Sequence, residues 1–101
     1  MADDRISTVK EAMFSLLTQA MNGLYADQLP EGASIYKIAE YDPARHTAPN
    51  LWFEKRENPE AKYLAIIVTP TSSVPALGKT VSDAVEFALS KVAAREGRGH
   101  V

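Results

Sequence analysis

Residues 62–69, KYLAIIVT, place apolar side chains at every position from Tyr63 to Val68. Successive residues of a strand face opposite ways, so a strand made from this segment is greasy on both sides. An antiparallel sheet with one wet face alternates between apolar and polar residues instead. Any sheet built on this segment must therefore be shielded front and back. The shield for the second face is the 42–50 loop, a second copy of the chain, or another protein.

Helices supply the first shield. Over 7–26 the apolar residues Ile6, Val9, Met13, Leu16, Leu17, Ala20, Met21 and Leu24 recur at three- and four-residue steps, which puts them on one helical face. Phe14 widens that stripe. Ser7 or Thr8 caps the helix, Thr8 and Glu11 having capping-box spacing, and Asn22-Gly23 marks its end. A second helix is expected over 80–95, with Val81, Ala84, Val85, Ala88, Leu89 and Val92 as its core stripe and Phe87 to one side. Between the helices, ASIYKIAEY (33–41), NLWFEKRE (50–57) and KYLAIIVT (62–69) read as strands. DPARHTAPN (42–50) reads as a loop and PTSSVPALGK (70–79) as a linker. Short links between strands favour an antiparallel meander. The expected fold is α+β: a two-layer α-β-β-β-α domain with a three-stranded antiparallel meander and two helices packed on one face. Residues 1–95 form the single domain, and EGRGHV (96–101) forms a disordered tail.

The linker ends in Gly78-Lys79-Thr80, the close of a phosphate-binding loop, G-x-x-x-x-G-K-[ST]. The first glycine of that motif is replaced by Ser73, and Pro75 inside the loop has no N–H to donate. The residues read better as a helix start, with Thr80 as the cap and Asp83 where the helix dipole favours negative charge. His46 is the only histidine outside the tail; Asp42, four residues earlier, is its nearest acidic neighbour in sequence, and no nucleophile is evident beside them. Two histidines and no cysteines leave no ligand set of metal-site spacing. The expectation is a non-enzyme with no catalytic residues, no cofactor and no metal.

The formal net charge is -2, and a dedicated nucleic-acid binder would carry a basic excess. The acidic, polar start MADDRISTVKEA does not read as a signal peptide, and no apolar run reaches the roughly 18 residues needed to span a bilayer. With no cysteine to pair, a cytoplasmic home is expected.

Strand parity then sorts the faces. Leu51, Phe53, Leu64, Ile66 and Val68 form the core face under the helices. Trp52, Arg56, Tyr63 and Ile67 form the opposite face. Strand one divides without a plainly polar side: Tyr36 and Ile38 go one way, and Ile35, Lys37, Ala39 and Tyr41 the other. Trp, Tyr and Arg anchor interfaces because they bring large area and a polar tip. Trp52, Arg56, Tyr63, Ile67 and Tyr41 are thus the candidate partner-binding residues, for a protein partner or a homodimer. A nucleic-acid contact through Lys55, Arg56, Lys62, Lys79, Arg95 and Arg98 is the alternative, and a small hydrolase-type enzyme built on His46 and Asp42 a third.

The order helix, three strands, helix resembles the double-stranded-RNA-binding domain. That family opens its second helix with clustered lysines facing phosphate. Here the start reads Lys79, Thr80, Val81, Ser82, Asp83, with Glu86 close behind, and one lysine with two acids binds a phosphate ridge poorly. The Thr-led, Ala-rich last helix TVSDAVEFAL (80–89), following a strand and loop, is similar to that of small α-β-β-β-α phage and prophage proteins such as the phage ABA-sandwich family. That resemblance implies an accessory protein that binds and inhibits a host factor. It transfers no site residues.

Overall fold

The computed structural model describes residues 2–99. Six elements follow in order: α1 (Ala2–Leu24), β1 (Ser34–Glu40), α2 (Pro49–Glu57), β2 (Tyr63–Val68), β3 (Ser73–Gly78) and α3 (Val81–Gly99). The strands form an antiparallel meander in the order β1-β2-β3. The α+β class, the three-stranded antiparallel sheet and the two long helices on one face are as the sequence predicts.

Two elements differ from expectation. NLWFEKRE is a helix, not a strand. Pro49 at its first turn has no N–H to waste there and a φ preset for helix, while Ala48 before it is held extended at ψ 129°, as residues before proline are. Asn58 N–H closes the far end on Glu54 O at 2.9 Å. PTSSVPALGK is not a linker but a hairpin turn and the third strand. Thr69 Oγ1 accepts from the N–H groups of Thr71 and Ser72, Thr69 N–H reaches Ser72 O at 2.8 Å, and Ser73 then pairs with Val68. Proline is excluded from central strands but fits an edge strand with its nitrogen turned outward. Pro75 lies opposite Ile66 on the outer strand.

The faces are also exchanged. Ala65 and Ile67 of β2, with Val74 and Ala76 of β3, pack under the Ala84, Val85, Ala88, Leu89 and Val92 stripe of α3. Small residues on both sides let that helix approach the sheet closely. Leu64 lies on the other face in a smaller cluster with Leu51, Ala61 and Leu77, beneath α2; Ile66 packs half-buried against it. Val68 is half-buried and Phe53 exposed, so of the predicted core set Leu51, Leu64 and Ile66 gather, but not under the long helices. Strand one resolves through a β-bulge: the register slips between Ile35 and Lys37, leaving Tyr36 as the extra residue. One extra residue inverts the parity beyond it. Ile35 and Ile38 therefore both point into the helical core.

The helix ends show the same local logic. Thr80 caps α3 as expected, its Oγ1 accepting Asp83 N–H at 3.0 Å. Gly78 ends β3 against the first turn of α3, and a Cβ there would lie 2.3 Å from Ala84 N. α3 runs through Gly99, so residues 96–99 are helical rather than a tail, and 100–101 lie outside the described residues. α1 begins at Ala2, so Ser7 and Thr8 lie within the helix rather than at its start. Its broad stripe splits: Phe14, Leu17 and Met21 pack on the core, while Val9, Met13, Leu16 and Leu24 are exposed.

Candidate interaction surface

α2 is a short helix with two unlike sides. At about 100° per residue, Leu51, Glu54 and Lys55 share one side, and Trp52, Phe53 and Arg56 the other. Leu51 is buried against Ala61, Leu64 and Leu77. Lys55 Nζ donates to Pro59 O and Ala61 O, both at 2.7 Å, closing the turn after the helix. Glu54 spans three elements: Oε1 accepts Leu77 N–H at 3.3 Å and Oε2 accepts Lys91 Nζ of α3 at 2.6 Å. With the inner side fixed, the outer side is held in place.

That outer side is aromatic and bare. Trp52 is 52% and Phe53 57% exposed. Their rings meet edge to face at 5.0 Å and 79°, an arrangement favoured by the ring quadrupoles. The Arg56 guanidinium lies 4.8 Å from the Trp52 ring centre, within cation–π range. This unit stands on the sheet face opposite the long helices.

The five predicted contact residues do not gather. Trp52 and Arg56 touch each other. Tyr41 is half-buried in the smaller core cluster, its ring stacked on His46 at 5.9 Å and 24°. Tyr63 is half-buried under α1, 6.4 Å from the Phe14 ring. Ile67 is 0% exposed and offers no surface to a partner. The error follows from taking 50–57 as a strand and from exchanging the faces of β2. Phe53, which strand parity put in the core, belongs with Trp52 and Arg56; Pro49 was the signal for it.

His46 is held by backbone rather than by a carboxylate. Its Nδ1 accepts Asp42 N–H at 2.9 Å, while Asp42 Oδ1 accepts Ala44 N–H at 3.0 Å. Burial, and then the nearby positive charge of Lys37, hold the imidazole below its ordinary pKa. Neutral His46 with Nδ1 as acceptor stiffens the loop. Among the described residues, no group of three or more His, Asp or Glu stands together to hold a metal ion, and no helix is long and apolar enough to cross a membrane. Lys79, the lysine of the phosphate-loop reading, is paired with Glu60 at 2.6 Å.

No protein-family model, curated protein or solved structure matches the chain.

Proposed function

We propose that this chain is a small, non-catalytic cytoplasmic binding protein that docks another protein on the Trp52–Phe53–Arg56 surface of α2. The observation that carries this reading is a pair of exposed, mutually packed aromatic rings with an arginine stacked on one of them. Trp and Arg dominate binding energy where they are found at interfaces, and rigidity keeps the ordering cost of docking low. Under the phage ABA-sandwich resemblance the chain is an accessory factor and its partner a host protein, which it inhibits by contact. A second copy docking on the same surface gives the dimer.

The nucleic-acid alternative draws on cations that are partly engaged. Lys55 is spent on two carbonyls and Lys79 on Glu60. That reading requires binding that weakens steeply with salt, so a gel shift at low salt separates it from protein docking.

The test is a double variant, Trp52→Ala with Arg56→Ala, compared with wild type for solution mass and for capture of a partner from the native host. Both side chains are exposed, so the far-ultraviolet circular dichroism stays native. Loss of the partner, or a fall in mass, is the expected result. A folded double variant with unchanged mass and capture overturns the reading.

A further inference from the structure

The sheet's two outer edges are finished differently. On β3 the chain occupies the edge at Pro75 and Leu77 itself. Pro75 has no N–H there, its carbonyl accepts Lys91 Nζ at 2.7 Å, and Leu77 N–H is taken by Glu54. On β1 only the first half is closed. Asn22 of α1 presents both ends of its side-chain amide to Ile35: Oδ1 accepts the Ile35 N–H at 2.8 Å and Nδ2 donates to the Ile35 carbonyl at 2.9 Å. A paired strand residue would make the same two bonds.

Beyond the Tyr36 bulge the phase changes. Lys37 and Ala39 stand opposite Ile66 and Leu64, and Tyr41 N–H reaches Lys62 O at 2.8 Å. Those residues turn their backbone groups inward, so the alternation turns those of Ile38 and Glu40 outward. Among the described residues no group bonds these outward N–H and C=O groups. They open into a groove of about 1180 Å³ between α1 and the loop after β1, with Phe14 and Thr18 on one wall and Arg45 and His46 on the other.

We propose that this groove binds an extended peptide segment of another protein, added as a fourth strand along Ile38–Glu40, with apolar side chains turned toward α1 and acidic ones toward Lys37 and Arg45. This site is separate from the aromatic surface of α2. The Asn22 contact identifies the chemistry this edge accepts, a donor and an acceptor spaced as in a peptide. Edge strands left open are templates for strand addition. Peptide residues opposite Ile38 share its face, where Phe14 packs on the helical core; the residues flanking them point to the face that carries Lys37. The charges agree. Lys10 is paired with Glu40 at 3.6 Å, whereas Lys37 and Arg45 have no anion at ion-pair distance among the described residues. Asp42 faces Ala44 N–H, and Glu11 on the α1 wall disfavours acids on that side.

The experiment titrates isotope-labelled chain with a seven-residue peptide alternating Glu and Val, and with its Lys–Val counterpart. The Glu–Val peptide shifts the Ile38 and Glu40 amides and slows their hydrogen exchange by about tenfold or more; the Lys–Val peptide binds several-fold more weakly. Glu40→Pro removes one outward N–H and abolishes binding, while Glu40→Ala, which loses only the exposed ion pair, retains it. A Glu–Val peptide N-methylated at alternate amides loses binding to the wild type, a check that does not depend on how the proline variant folds. Trp52→Ala leaves peptide binding unchanged, so failure of the aromatic surface is read separately. The proposal is overturned if millimolar Glu–Val peptide leaves Ile38 and Glu40 unperturbed, or if the N-methylated peptide binds equally well. It is also overturned if those amides are already protected in a species of doubled mass without peptide, since the edge then pairs with a second copy.

Discussion

Single side chains decide how the three layers are joined. Glu54 ties α2 to β3 through Leu77 N–H and to α3 through Lys91, and Lys91 also holds Pro75 O. Glu54→Ala therefore leaves a backbone donor and a partly buried ammonium short of partners. The pair is partly exposed and so screened, and the expected loss is about 1–2 kcal/mol, read from urea midpoints. Glu54→Gln keeps an acceptor and recovers part of it. Gly78→Ala is harsher: the added methyl meets the backbone of Asp83 and Ala84 at 2.8 and 2.3 Å, neither of which can swing aside, so a cost at or above the upper end of ~1–3 kcal/mol for overpacking is expected. His46 gives a pH signature. Its pKa is held below the ordinary value, chiefly by burial, so the unfolded chain binds the proton more readily than the folded one. That contribution is complete above about pH 6.5 and is lost as pH falls from there through the folded pKa. His46→Phe keeps a ring against Tyr41 and abolishes the slope. Melting temperatures of wild type and variant, measured from pH 7.5 down to 5 and compared by difference, check it.

At the scale of elements, the sequence was readable where one local rule acted alone. KYLAIIVT is strand and TVSDAVEFALSKV is helix with its Thr80 cap in place. The second sheet face is covered, but in part by the chain's own α2, which is not among the expected covers (the 42–50 loop, a second copy or another protein). It misled where two rules competed. Leu51, Trp52 and Phe53 suit a strand as well as a helix, and only Pro49 broke the tie. Pro70 and Pro75 suggest a linker, yet one fits a hairpin turn and the other an outward-facing edge position. The bulge at Tyr36 cannot be read from alternation because it breaks the alternation. With α2 misassigned, two of the five expected contact residues fell in the large core, Ile67 fully buried in it and Tyr63 half-buried against it. The short α2 also carries a prediction of its own. Leu51 anchors it as a buried side chain, so Leu51→Ala costs ~2–4 kcal/mol and frees the helix from the sheet. Trp52 fluorescence anisotropy then falls before the sheet melts; a single concerted transition would contradict this.

The whole molecule measures 53 × 30 × 21 Å, and its length reflects helices that outrun the sheet: α1, with 23 residues, is about 34 Å long at 1.5 Å per residue. The rows around α1 therefore meet different surroundings. Phe14, Leu17 and Met21 face the core; Ser15, Thr18 and Asn22 line the β1 groove; Val9, Met13, Leu16 and Leu24 lie on the opposite flank, away from the groove. Leu16 and Leu17 are the same residue type, adjacent in sequence and about 100° apart around the axis, so comparing them isolates the effect of the fold. Leu16 is 65% exposed, and Leu16→Lys should change stability by no more than about 0.5 kcal/mol, as surface changes do. Leu17→Lys replaces a half-buried side chain packed against the core by an ammonium and should cost ~1–2 kcal/mol, because the apolar contact is lost and the charge is partly desolvated. Paired urea melts at several protein concentrations decide the matter. A large loss from Leu16→Lys that grows with concentration would mean that a second copy covers this flank, whereas equal small losses at both positions would mean that α1 is not docked on the sheet as described.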